Sequence, residues 1–180
     1  MSRARVAWLV LFAALLVSDG EKPAPPERSA TGAHGPVVFT EQRVAHVLAR
    51  LNPALRPRER ERIAAAVVKY SGKYDLDPAL VLAVIRNESA ARSWVRSPKG
   101  AVGLMQVMPH MMQALPVAGN LTQVESNVEA GCMILADNIR RLGEAEGIGA
   151  YFWGNDVRDV RYFENVKAAR TEIRREAAES

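Results

Sequence analysis

Glu88 is the residue of this 180-residue chain whose type and setting point most directly to chemistry. It lies in residues 77–109, DPALVLAVIRNESAARSWVRSPKGAVGLMQVMP, where Asp77 offers an N-cap side chain and Pro78 a first-turn proline, so a helix is predicted to start there. At about 100° per residue, Val81 and Val84 fall within roughly 40° of Glu88 and Ile85 within roughly 60°, while Arg86 points away. An acid on an apolar face is a proton store. Burial raises a carboxyl's pKa and keeps a proton available near neutral pH for transfer to a leaving group. A plainer reading stands beside this one, in which Glu88 is half-exposed near the helix end and pairs with Arg92. The helix alone favours the plainer reading, and the neighbours must decide.

Other reactive groupings are scarce. His34, His46 and His110 are far apart and show no metal-ligand spacing, so no metal site is expected. Gly100 and Gly103 permit close backbone approach, but neither GK[ST] nor Rossmann spacing follows them, and no cofactor is expected. The only cysteine, Cys132, cannot form an intramolecular disulfide and reads as a buried apolar residue.

The elements that must position Glu88 are helical. With 48% hydrophobic and 24% charged residues, the chain has room for one domain with a core. Thr40 is an N-cap candidate for EQRVAHVLARL, where Val44, Val47, Leu48 and Leu51 share a face. Pro53 and Pro57 precede a second helix marked by Ile63, Val67 and Tyr70. Beyond the Glu88 helix, SPKGAVGLMQVMP reads as a loop folding back under that helix, and Pro109 opens a short helix, HMMQAL. Ser126 and Glu129 match a capping box for a helix with Val128, Leu135, Ile139 and Leu142 on its buried face, which Gly143 ends. The stretch EGIGAYFWGND either closes the core or lines a groove. Helical spacing resumes through Val160, Phe163, Val166 and Ile173, and there is no strand series.

Residues 1–18 carry two arginines, then an apolar run over 6–17, then small and polar residues, which predicts a signal peptide. The run is shorter than the about 20 residues of a membrane span, so no stable span is expected after processing, although an uncleaved anchor stays open. Residues 19–38, rich in Pro, Gly, Ala and Ser, read as a tether, residues 39–176 as the domain, and 177–180 as a tail. Without Arg3 and Arg5 the formal charge of +4 falls to about +2, which argues against nucleic acid as a partner. An exported protein of the periplasm or cell envelope is expected.

Three separated motifs remain: Glu88-Ser89, then Gly103-Leu104-Met105-Gln106-Val107-Met108-Pro109, then Ala150-Tyr151 with Trp153-Gly154. In order and spacing this pattern resembles the SLT-type lytic transglycosylases, and the resemblance covers roughly residues 70–166. It implies a mainly α, goose-lysozyme-like domain whose groove binds peptidoglycan glycan strands. It also implies Glu88 as the catalytic acid, Ser89 as its polar neighbour at the substrate site, Met105 lining the groove, Gln106 contacting substrate and Tyr151 facing the acid. The chain departs from the pattern after Ala150-Tyr151, where Phe152 stands in place of Asn.

Glycosidases with two carboxylates place the second about 5 to 9.5 Å from the acid. Asp77, eleven residues away along one helix, lies about 16 Å from Glu88 and cannot serve. Nothing in the spacing of Glu125, Asp156 or Asp159 singles one out. Those three stay formally possible, but a single-acid mechanism is expected; with the resemblance it implies cleavage of the bond between N-acetylmuramic acid and N-acetylglucosamine, assisted by the substrate's own N-acetyl group and closing a 1,6-anhydro ring. A lysozyme-type hydrolase on the same fold and a catalytically weakened peptidoglycan-binding scaffold are the alternatives. The tether and the small domain make an envelope-spanning assembly a candidate partner.

Overall fold

The computed structural model describes residues 37–154, 156–157 and 159–179. The expected signal peptide and almost all of the expected tether, with His34, lie outside them. Six α-helices form the described part: α1 Glu41–Leu51, α2 Pro57–Lys73, α3 Pro78–Ser89, α4 Val124–Leu142, α5 Glu144–Trp153 and α6 Arg161–Ala178, with a 3-10 helix at Pro109–Ala114. They fall in one unit, His34–Ser180. Among the described residues there is no strand, and pairing is limited to isolated bridges from Val102 to Arg96 and to Val107. No helix among them is long and apolar enough to cross a membrane. The fold is mainly α, as the periodicities predict.

Local chemistry sets the helix starts. Thr40 accepts from the Arg43 N–H at 3.3 Å and opens α1, and Pro57 sits in the first turn of α2. Asp77 accepts from the Ala79 N–H at 3.0 Å, while its other oxygen takes Arg170 of α6 at 2.6 Å and Arg174 at 2.8 Å. One carboxylate thus caps α3 and fastens it to α6.

The centre of the core is α3. Every residue from 79 to 85 is buried, so the helix has no polar face until Arg86. Leu80, Val81, Leu82, Val84 and Ile85 each contribute about 1.5–3 kcal/mol by leaving water. Helices α2 and α6 pack against α3, α1 packs on α2 and α6, and α5 lies between α4 and α6. An amphipathic stripe with Glu88 on it is therefore not the arrangement found. A helix sheathed on all sides emerges at its end, and Glu88 is half-buried by what covers that end.

Four further expectations change. Helix α4 begins at Val124 with Gln123 as N-cap, so Ser126 and Glu129 are not a capping box. Ser126 donates to the Ala118 carbonyl, and Glu129 accepts from Lys73 at 2.5 Å and Tyr74 at 3.4 Å. On α4, Leu142 is exposed. On α6 the buried face runs through Tyr162, Val166, Ala169, Ile173 and Ala177, while Val160 is 69% exposed. The helix continues to Ala178 with Ala177 buried, past the position where a tail was expected.

The glycine-rich stretch 144–153 is helical. A Cβ at Gly147 would lie 2.6 Å from both the Ile139 Cα and its nitrogen. Glycine serves here to bring α5 against the backbone of α4, and the apolar contact outweighs its poor helix propensity. Gly143, at φ +86°, makes the turn between the two helices.

Candidate functional site

The last residue of α3, Ser89, is 1% exposed, and its hydroxyl donates to the Leu104 carbonyl at 2.7 Å. It is a strut between the helix end and the loop, with no path to a substrate. After it, Ala90 and Ala91 adopt left-handed backbone, at φ +50° and +58°. Such residues cost about 1–2 kcal/mol each outside glycine, and here they reverse the chain so that residues 92–108 return beneath α3.

That returning loop is held from three helices. From α4, the fully buried Asn127 accepts from the Met105 N–H at 2.9 Å and donates to the Val102 and Leu121 carbonyls at 2.8 and 3.0 Å. From α5, the Tyr151 hydroxyl donates to the Met105 carbonyl at 2.7 Å. From α3 comes Ser89. Gly103, at φ +79°, lets the loop meet Asn127, since a Cβ there would come 2.4 Å from the amide nitrogen.

Met105 was expected to line the groove, but its side chain is 0% exposed. It packs on Gly131, where a Cβ would lie 2.4 Å from the sulfur. What Met105 offers the site is backbone geometry. Gln106 follows in left-handed conformation, φ +48°, and its amide nitrogen donates to the Gly103 and Val95 carbonyls at 2.9 and 3.1 Å. Gln106 lines a groove of about 780 Å³ together with Tyr74, Met108, Tyr151, Phe152 and Trp153. Arg140 and Arg141 also line it. The indole N–H of Trp153 is buried there with no acceptor among the described residues.

Glu88 is not in the lining of that groove, although Tyr151 beside it is. The hydroxyl of Tyr162, on α6, donates to Glu88 Oε1 at 2.5 Å. Burial raises the Glu88 carboxyl above its usual range, and the Tyr162 hydrogen bond opposes that only in part. The two phenols respond in turn. Burial, then the Glu88 charge, pushes Tyr151 well up, and burial with the same charge and the shared hydrogen bond does so for Tyr162. Both therefore stay protonated donors. Arg92 does not pair with Glu88, because its Nε donates to the Ser89 carbonyl at 2.8 Å. Arg86 reaches Glu172 at 2.5 Å.

Two of the carboxylates considered as partners for Glu88 are engaged elsewhere. Both oxygens of Glu125 accept from Arg62, at 3.1 and 2.8 Å, and Asp159 is bound to Arg161. Among the described residues no group of three His, Cys, Asp or Glu side chains comes together as a metal site would need. Cys132 is buried, and burial pushes its thiol up. The site thus combines one sheltered acid, two phenols and an apolar groove.

Tyr162 is the residue that sequence periodicity missed. Val166 and Ile173 belong to two possible stripes. One passes through the large residues at 160 and 163. The other passes through Tyr162, Ala169 and Ala177 and is the one buried. Counting alanine as a core residue would have found it.

The family model of the transglycosylase SLT domain matches residues 65–173. A transglycosylase of Enterobacteria phage PRD1 is 36% identical over 97 residues, covering 53% of this chain and 35% of that protein. The chain thus spans about a third of that relative's length. Among solved structures, the 70-kDa soluble lytic transglycosylase of Escherichia coli is 24% identical with a TM-score of 0.48, over 76% of this chain and 26% of that one. An inactive mutant of the lytic transglycosylase Slt from Pseudomonas aeruginosa is 22% identical with a TM-score of 0.44, over 63% and 23% of the two chains.

Proposed function

The chain belongs to the transglycosylase SLT domain family, and from that premise we propose that it is a peptidoglycan lytic transglycosylase with Glu88 as its single catalytic acid. The observation that carries this reading is the state of Glu88: a carboxyl raised by burial, held by one neutral donor, with no cation paired to it among the described residues. A group so placed keeps its proton near neutral pH and can release it to a glycosidic oxygen. Because Tyr162 donates to Oε1, Oε2 is the oxygen left to carry the proton that passes to the leaving group.

Cleavage leaves positive charge on the anomeric carbon of N-acetylmuramic acid, and the substrate's own acetamido group stabilises it, as in other substrate-assisted glycosidases. Glu88, now a carboxylate, takes the proton of the C6 hydroxyl, whose oxygen closes the 1,6-anhydro ring. No water is consumed, and ring closure benefits from proximity within one sugar. Gln106 contacts the glycan through its side-chain carbonyl, since the amide nitrogen is engaged, and Tyr151 and Phe152 form the apolar wall. Ser89 and Met105 support these groups through the backbone. A glycan strand of peptidoglycan as substrate implies action outside the cytoplasm, in the periplasm or envelope.

Digestion of purified sacculi by the whole chain in ¹⁸O-water tests the reading, with products examined by mass spectrometry. Unlabelled anhydro ends are expected from wild type and none from Glu88→Gln. Label in new reducing ends would instead make the protein a hydrolase. Equal, negligible release by both proteins would leave a binding module.

A further inference from the structure

Phe152 takes no part in the acid chemistry, yet it is tied to it. The side chain is 52% exposed, near the C-terminal end of α5, and its ring is not free. It stacks on Tyr162 with centroids 4.6 Å apart and planes inclined by 17°, and meets Trp153 edge-on at 5.0 Å and 88°. Tyr162 is only 8% exposed, and its hydroxyl ends on Glu88. Phe152 is thus the outer layer of a stack whose inner end is the carboxyl. On the reading of Glu88 as the acid, we propose that Phe152 is a positioning residue: its ring holds the Tyr162 phenol on Glu88 and keeps water from the hydrogen bond they share.

The physical case has three parts. A tyrosine ring keeps its place through two torsions, and a stacked aromatic partner stabilises one orientation beyond what area burial contributes. A side-chain amide at this position, as the motif resemblance implies, would supply no such ring. Finally, the groups that meet Glu88 are few: Tyr162 from α6 and Tyr151 from α5, while Arg86 on its own helix is turned to Glu172 and Arg92 to the Ser89 carbonyl. With no cation among the described residues to fix its charge, Glu88 depends on dryness and on the phenol, and Phe152 bears on both.

The test compares full-length wild type with Phe152→Leu, which keeps an apolar side chain without a ring, and Phe152→Tyr, which keeps the stack. Proton NMR follows exchange of the Tyr162 hydroxyl, and ¹³C NMR follows titration of the Glu88 carboxyl, assigned with Glu88→Gln. Phe152→Leu is expected to exchange at least about tenfold faster and to titrate at least about half a unit closer to the ordinary glutamate value, since water then reaches the pair. Phe152→Tyr is expected to match wild type in both. An unchanged exchange rate or midpoint in Phe152→Leu, or loss of protection in Phe152→Tyr, overturns the proposal. Neither readout needs turnover, so a protein that releases no muropeptide would sink the enzymatic reading and leave this one to be judged separately.

Discussion

Glu88 and Tyr162 form a pair in which each side chain sets the other's charge. The phenol favours the ionised carboxylate, because it donates to it, while burial favours the neutral acid, and burial is the larger effect. Tyr162→Phe removes the opposing influence alone, so the Glu88 carboxyl should titrate higher still, and a ¹³C NMR titration reads that shift. Stability follows the same sign. The folded protein holds the Glu88 proton more tightly than the unfolded chain, so this contribution is full below the usual carboxyl range and is lost as pH rises through the raised value. Glu88→Gln should therefore be more resistant to thermal unfolding than wild type at neutral pH, with the difference vanishing in acid. A melting series over pH checks both halves.

At the scale of elements, the site depends on close backbone approach between α4 and α5 and between α4 and the loop. Gly147 and Gly131 are its contact points. Gly147→Ala would gain about 1 kcal/mol of helix propensity, yet its methyl would meet the Ile139 backbone, which cannot yield as a flexible side chain could. We expect a net loss of about 1–3 kcal/mol, the usual range for overpacking, measured by urea denaturation. Because α5 carries Tyr151 and Phe152, the displacement should also lower turnover on sacculi. Asn127 plays the matching part for the loop, bonding the Met105 N–H and the Leu121 carbonyl and adding a second donor to the Val102 carbonyl, which also accepts from the Val107 N–H.

Across the whole molecule, the longest reach belongs to Asp77, at the opposite end of α3 from Glu88. Burial by itself would raise this carboxyl, but Arg170, the Ala79 N–H and Arg174 together hold it below the usual range. Its linkage is thus opposite to that of Glu88: the contribution is present above the usual aspartate value and is lost as pH falls through the lowered one. Asp77→Asn keeps a capping oxygen but strips the charge facing two arginines, and should cost about 1–3 kcal/mol near neutral pH. It should also flatten the loss of stability as pH falls below the usual aspartate value of about 3.9, as denaturation at a series of pH values would show. Since α6 carries Tyr162, loosening this clamp acts on both ends of α3.

The chain's residue order by itself determined the helices with strong local signals. Thr40, Pro57 and Asp77-Pro78 mark their own starts, because capping and proline chemistry act within one turn. It also pointed to Glu88, through the resemblance carried by Glu88-Ser89, the Gly103 to Gln106 run and Ala150-Tyr151. Only tertiary structure decided the rest. A seven-residue buried run cannot show which neighbours sheathe it, and two stripes sharing Val166 and Ile173 cannot show which one faces the core. Glycines that permit a turn look the same in sequence as glycines that permit helix contact. So Tyr162 as the partner of Glu88, Met105 and Ser89 as inner supports, and Phe152 stacked over the pair emerged from packing, where side chains distant in the chain compete for the same buried space.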